Sequence, residues 1–197
     1  MRAPLLISLL LTASMFGCAP PPMPTNGRLA WSFGCDTTVM GQTECGAAPS
    51  ELIEGIARRT PPPTLDTFCA IDPAGGGFNF RVRLLQGDAP QQTGLALCGS
   101  ITGGAGMATN SRVDAYFGAA KIEGVPQGGA MGGCDVQIDS VDASTIRGQF
   151  RCRGVRDNAL LWRVVGGVPP SSVNGTTRPD WAEFAFQNCT RGAGVCR

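Results

Sequence analysis

Nine cysteines and no histidine bound the chemistry this chain can perform. Thiols pair, hold soft metals or attack carbonyl groups, but nucleophiles of the Ser-His-Asp or Cys-His kind need an imidazole. Zinc sites need histidine or closely spaced Cys-x-x-Cys pairs. The chain offers neither, which leaves disulfide formation as the chemistry of its thiols. One stretch shows how they pair. In GGCDVQIDSVDASTIRGQFRC (132–152), folding about Ala143 sets Cys134 against Cys152, Val136 against Phe150 and Ser140 against Ile146 on one face. The other face sets Asp135 against Arg151, Gln137 against Gln149 and Asp139 against Arg147, two opposite-charge pairs around an amide pair. A slip of one residue would put the aliphatic side chains in water and unmatch the charges. The pattern therefore predicts a hairpin with a cross-strand Cys134–Cys152 disulfide.

Carboxylates are the remaining route to catalysis. Glycoside hydrolysis needs only two, yet 15 acidic residues make some pair inevitable, and no pair stands out. Asp135 and Asp139 face arginines in the hairpin register, Glu51 and Glu54 lie at an expected helix start, and Asp72 precedes proline in a turn. Lys121, the single lysine, has no Ser-x-x-Lys pattern before it, and the runs GGAG at Gly103 and AGGG at Ala74 lack the Gly-Lys-Ser/Thr of a phosphate cradle. They read as turns, as does Asn174-Gly175-Thr176. No Asp-x-Asp-x-Asp calcium loop is present, and Asp139 and Asp142 read as turn carboxylates. No catalytic residue, metal or cofactor is assigned.

Flat aromatic rings can stack on sugars, so the tryptophans bear on binding. Trp31 alternates with Leu29 and Phe33, and Trp162 with Leu160 and Val164, as core residues do. Trp181 follows Arg178-Pro179-Asp180 and faces away from Phe184 and Phe186, which makes it the one candidate ligand-binding residue.

The N-terminus, MRAPLLISLLLTASMFGC, carries Arg2 ahead of an apolar run from Leu5 to Phe16. About 12 residues make roughly 18 Å of helix, short of the ~30 Å hydrocarbon core of a bilayer, so the run reads as an export signal. Met15-Phe16-Gly17-Cys18 resembles the lipobox of a bacterial lipoprotein precursor, matching at Gly17 and Cys18 and departing from the usual small residue at Phe16. The resemblance covers about the first 20 residues. It implies cleavage after residue 17, a diacylglyceryl anchor on Cys18 and, with Ala19 following, delivery to the outer membrane. It also gives the odd ninth cysteine a fate. Residues 18–26, with APPPMPTN, then form a proline-rich tether reaching roughly 25 Å.

About 180 residues remain, enough for one domain over 27–197. Without Arg2 the charges balance, and no basic block marks a nucleic-acid partner. Period-two patterns predict half-buried strands at RLAWSF (28–33) and FNFRVRLL (78–85). Further strands are expected at 64–71, 95–101, 113–117, 160–165 and 181–187, besides the hairpin. One helix is expected over ELIEGIARR, capped by Ser50 and ended by Pro61 to Pro63, and TGGAGMATNS and EGVPQGGAMGG are expected loops. Short strands joined by glycine-rich connections predict an all-β antiparallel sandwich, jelly-roll-like, with about four disulfides. Eight cysteines allow roughly a hundred connectivities. Proximity in sequence favours Cys35 with Cys45 and Cys189 with Cys196, leaving Cys69 and Cys98.

The functional expectation is a non-enzymatic envelope lipoprotein, a binding or structural module on the periplasmic or cell-surface side of the outer membrane. It would meet the membrane through its anchor and an envelope protein or glycan through its surface. A carbohydrate-binding module or a carboxylate-based glycosidase is the alternative.

Overall fold

The computed structural model describes residues 23–35, 48–54, 65–88, 92–117, 120–126, 133–153, 155–157, 160–164, 181–192 and 196. Among these, every regular element is a strand. They are β1 Asn26–Cys35, β2 Ala48–Glu54, β3 Leu65–Ala74, β4 Gly77–Gln86, β5 Thr93–Thr102, β6 Gly106–Met107 and β7 Thr109–Phe117, then β8 Ala120–Pro126, β9 Gly133–Val141, β10 Ile146–Arg153, β11 Val155–Asp157, β12 Leu160–Val164 and β13 Ala182–Gln187. Two antiparallel sheets result. The smaller runs β3-β4-β5-β7-β8; the larger joins β11, β12, β1, β13, β10, β9 and β6, with β2 on β1.

Alternation explains the layering. Cys134, Val136 and Ile138 are buried while Asp135, Gln137 and Asp139 between them are half-buried, so β9 turns one face inward. Phe80, Val82 and Leu84 do the same in the smaller sheet. The inward faces meet in a single cluster that includes Trp31, Phe80, Phe150, Phe184 and Phe186. Tight turns hold the hairpins: Gly75 (φ 53°) and Gly76 (φ 83°) supply the two left-handed residues that a two-residue turn between β3 and β4 requires.

β1 is the hinge of the larger sheet. β2 pairs along one side of it from Gly27 to Phe33. Its other side pairs with β13 from Asn26 to Ala30 and with β12 from Phe33 to Cys35. β12 and β13 therefore lie end to end on one line. Val164 pairs with Phe33, and extending the β13 register sets Trp181 against Ser32, so Val164 and Trp181 stand opposite adjacent residues of β1.

Several expectations are corrected. Residues 48–54 are strand β2, not the start of a helix; backbone pairing along a side of the core strand β1 outweighs the local helix signal of Ser50 and the leucine–isoleucine spacing. The continuation through Pro63 lies outside the described residues. The connection at 102–111 contains β6, which crosses from the smaller sheet to pair with β9, and β8 extends into EGVP. The smaller sheet is a meander of chain neighbours instead of the interleaved Greek keys of a jelly roll.

The hairpin register is as expected from Cys134 with Cys152 through Gln137 with Gln149 to Ile138 with Gly148, and then shifts between Gly148 and Arg147. Ile138 faces Gly148, Ser140 faces Arg147 and Val141 faces Ile146, so Asp139 is the extra residue of a bulge and is not opposite Arg147. A Cβ at Gly148 would run into the Gln137 carbonyl and the Phe184 ring, so glycine admits the close approach that the bulge creates.

The disulfides are corrected as well. Cys134–Cys152 is present, with Cα atoms 4.0 Å apart, but among the described residues the others are Cys69–Cys189 and Cys98–Cys196 in place of Cys189–Cys196. Asn188, left-handed at φ 56°, turns the chain out of β13 so that Thr190 meets the outer side of β3. The Ile71 amide donates to Thr190 and the Thr190 amide to Cys69, both at 3.0 Å. That parallel bridge sets Cys189 beside Cys69 and leads the chain on to Cys98. Cys35–Cys45 lies outside the described residues at Cys45, as does Cys18.

The turn at the tip of β9–β10 has its own cap. Asp142 Oδ1 accepts from the Ser144 and Thr145 amides at 2.7 and 2.8 Å, and Oδ2 accepts from the Thr145 hydroxyl at 2.7 Å. The Ser144 carbonyl in turn accepts from the Cys189 amide at 2.9 Å. The Thr145 hydroxyl and the Ser144 amide hold the Asp142 carboxyl down to a pKa of about 2 from 3.8. A depressed folded pKa contributes stability that is complete above pH ~4 and is lost as pH falls through about 2. NMR titration of the Asp142 side chain is expected to show a midpoint near 2; a midpoint near 3.8 would mean the cap does not form.

Candidate functional site

Strands β9, β10 and β13 turn polar side chains to the face away from the core. Arg151 faces Asp135 on β9, and extending the Phe150–Ala182 register sets it against Trp181 on the other side. The three form one transverse row. Arg151 Nε donates to Asp135 Oδ2 at 2.8 Å, and its guanidinium carbon lies 4.9 Å from the centre of the Trp181 ring. All three are half-buried. A carboxylate fixes the guanidinium and the guanidinium fixes the indole, so the row is organised before any ligand arrives.

The next row along the same face is Gln137, Gln149 and Glu183. Here burial is nearly complete: Gln149 is 2% and Glu183 4% exposed. Gln149 Oε1 accepts no hydrogen bond among the described residues. A buried amide oxygen without a donor costs about 1–3 kcal/mol, and at 2% exposure Gln149 lies below the binding face instead of on it.

Trp181 thus stands where its alternation with Phe184 and Phe186 predicts, on the outer face of the sheet, whereas Trp31 is fully buried. The hairpin register also placed Asp135 beside Arg151. Sequence reasoning missed that Trp181 joins them, because β10 and β13 are separated in sequence by β11, β12 and more than a dozen further residues. The one available signal was the shared alternation of Gln149, Arg151, Trp181 and Glu183 against the phenylalanines. Trp162 lies in β12.

Carboxylates have structural duties at several points. Asp135 holds Arg151, Asp142 caps its turn, Asp66 binds Arg83 at 2.9 Å and Asp114 binds Arg112 at 3.3 Å. Among the described residues no three Cys, Asp or Glu side chains gather to hold a metal ion, and no helix is long and apolar enough to cross a membrane. Three disulfides among the described residues are the mark of an oxidising, non-cytoplasmic compartment. Comparison with protein-family models, curated proteins and solved structures finds no match to this chain.

Proposed function

We propose that this chain is an exported module of a bacterial cell envelope, anchored by a lipid on Cys18, that binds a partner through the face of its larger sheet without transforming it. The observation that carries the reading is the Asp135–Arg151–Trp181 row: an aromatic and a cation, held in place by a carboxylate, on a sheet stapled by disulfides. Tryptophan and arginine contribute disproportionately to binding surfaces because each buries a large area with little ordering cost once fixed. The tether fits this placement. The Asn188 amide donates to the Pro24 carbonyl at 2.9 Å and the Thr25 hydroxyl to the Asn188 carbonyl at 3.2 Å, so the folded domain takes hold of the chain at Pro24. Six residues from Cys18 to Pro24 reach at most about 19 Å at ~3.1 Å each, which keeps the domain close to the lipid surface.

A glycan partner is the second reading, favoured by the half-buried indole of Trp181 with the Arg151 guanidinium against it and the Asp135 carboxylate next in the row. One experiment addresses both. A photoreactive phenylalanine analogue replaces Trp181 in cells, or Asp72 beside the exposed β3–β4 turn as the control, and the envelope form is purified for intact mass. Acyl chains on the protein and a discrete adduct from position 181 alone are expected, a protein adduct for the first reading and a glycan adduct for the second. Adducts at neither position, or equally at both, would remove the row as a contact surface, and an unacylated mass would remove the anchor.

A further inference from the structure

The three disulfides differ in whether a reagent can reach them. Cys69, Cys189, Cys134 and Cys152 are buried members of the cluster that joins the sheets. Cys98 and Cys196 lie outside that cluster, on the outward side of the smaller sheet. Cys98 is buried against its strand, but Cys196 is half-buried and lies in no strand. Of the six bridged cysteines described, it is the one whose sulfur stands towards solvent.

The bridges also differ in what else holds their ends. Cys134 and Cys152 are a ladder pair of β9 and β10, and beside Cys69–Cys189 the Thr190 backbone is bonded to β3. Cys98 is kept in place by pairing with Arg81 on β4 and Arg112 on β7, whether or not its sulfur is bonded. Cys69–Cys189 already closes most of the loop that Cys98–Cys196 spans, so opening the second releases little chain. Cys196 Sγ lies 3.4 Å from the Asn110 carbonyl oxygen, an acceptor for the proton of a reduced thiol.

We propose that Cys98–Cys196 is a site of thiol–disulfide exchange, opened by a dithiol of the Cys-x-x-Cys kind while the two core bridges stay closed. Accessible disulfides are the exchangeable ones, whereas buried ones wait for the structure around them to open. The reaction asks for no imidazole on this chain, because the attacking thiolate comes from the donor. That thiolate attacks Cys196 Sγ and forms a mixed disulfide as the Cys98–Cys196 bond breaks. Cys98 leaves as a thiolate and takes a proton from water. The donor's second thiol, deprotonated, then attacks its own partner sulfur in the mixed disulfide. Cys196 leaves as a thiolate and is protonated in turn. Two electrons have passed from the dithiol to the bridge, and the donor carries the disulfide. The product is a folded domain with one thiol in β5 and a second released from the sheet.

The test uses the mature, oxidised chain with dithiothreitol as the dithiol. Aliquots are quenched with acid, alkylated in denaturant and mapped as peptides without further reduction. Cys98 and Cys196 are expected to become alkylated at least about 100-fold faster than the four core cysteines, since a buried bridge reacts only through rare opening. The singly reduced form is expected to keep the amide signals of β3, β9, β10 and β13. Glutathione, a monothiol, then reports which sulfur is attacked, and its adduct is expected on the peptide containing Cys196. Alkylation of all six cysteines in one phase, an earlier opening of either core bridge, loss of the fold with this bridge alone, or glutathione chiefly on Cys98 would overturn the proposal.

Discussion

Replacing Cys69 and Cys189 together by alanine is expected to lower the stability of the domain by about 4–5 kcal/mol, more than removal of the short Cys134–Cys152 bridge would. The bond closes a loop of sequence separation 120, against 98 for Cys98–Cys196 and 18 for Cys134–Cys152. The entropy withheld from the unfolded chain grows with the logarithm of loop length, so the shortest loop is worth about 3 kcal/mol. The long bridge has a second role. It fastens the segment after β13 to the outer side of β3, where Thr190 exchanges two backbone hydrogen bonds with the strand. That exchange partly covers an otherwise open sheet edge. Removing both sulfurs, not one, avoids leaving a lone buried thiol. Urea unfolding of the two double variants provides the check: C69A/C189A should unfold at lower urea than C134A/C152A, and the reverse order would show that loop length does not govern the contribution.

Trp31→Ala is expected to cost about 3–5 kcal/mol, because the indole is fully buried at the centre of the cluster that joins the sheets. Its strand is flanked on both sides, by β2 and by β13, so the backbone has little freedom to collapse into the cavity. Trp181→Ala removes the same side chain from a half-buried surface position. It is expected to cost about 1 kcal/mol or less, mainly the stacking of Arg151. Equilibrium denaturation of the two variants side by side separates a packing tryptophan from a binding one. Comparable losses would contradict the division of roles.

Much of this was written in the local pattern. Alternation in 28–33, 78–85 and 134–152 predicted the strands that carry the core, since a period of two allows only one face inward at a time. Trp31 and Trp181 were told apart by the same rule. What failed was long-range. Residues 48–54 carry a plausible helix cap, but their fate is decided by the vacant side of β1, which no local window contains. The pairing of Cys189 followed from the left-handed turn at Asn188 and the outer side of β3, features set by residues more than a hundred positions apart. The hairpin lies between these cases. Its outer register was legible from charge and volume, and the bulge was signalled by Gly148, an isolated glycine inside a strand pattern.

The account rests on a two-sheet domain locked by specific thiol pairs in an oxidising compartment. Peptide mapping of the mature protein without reduction tests this most directly. The predicted result is three linked pairs, Cys69 with Cys189, Cys98 with Cys196 and Cys134 with Cys152. Free thiols at these positions, or Cys189 joined to Cys196, would contradict it.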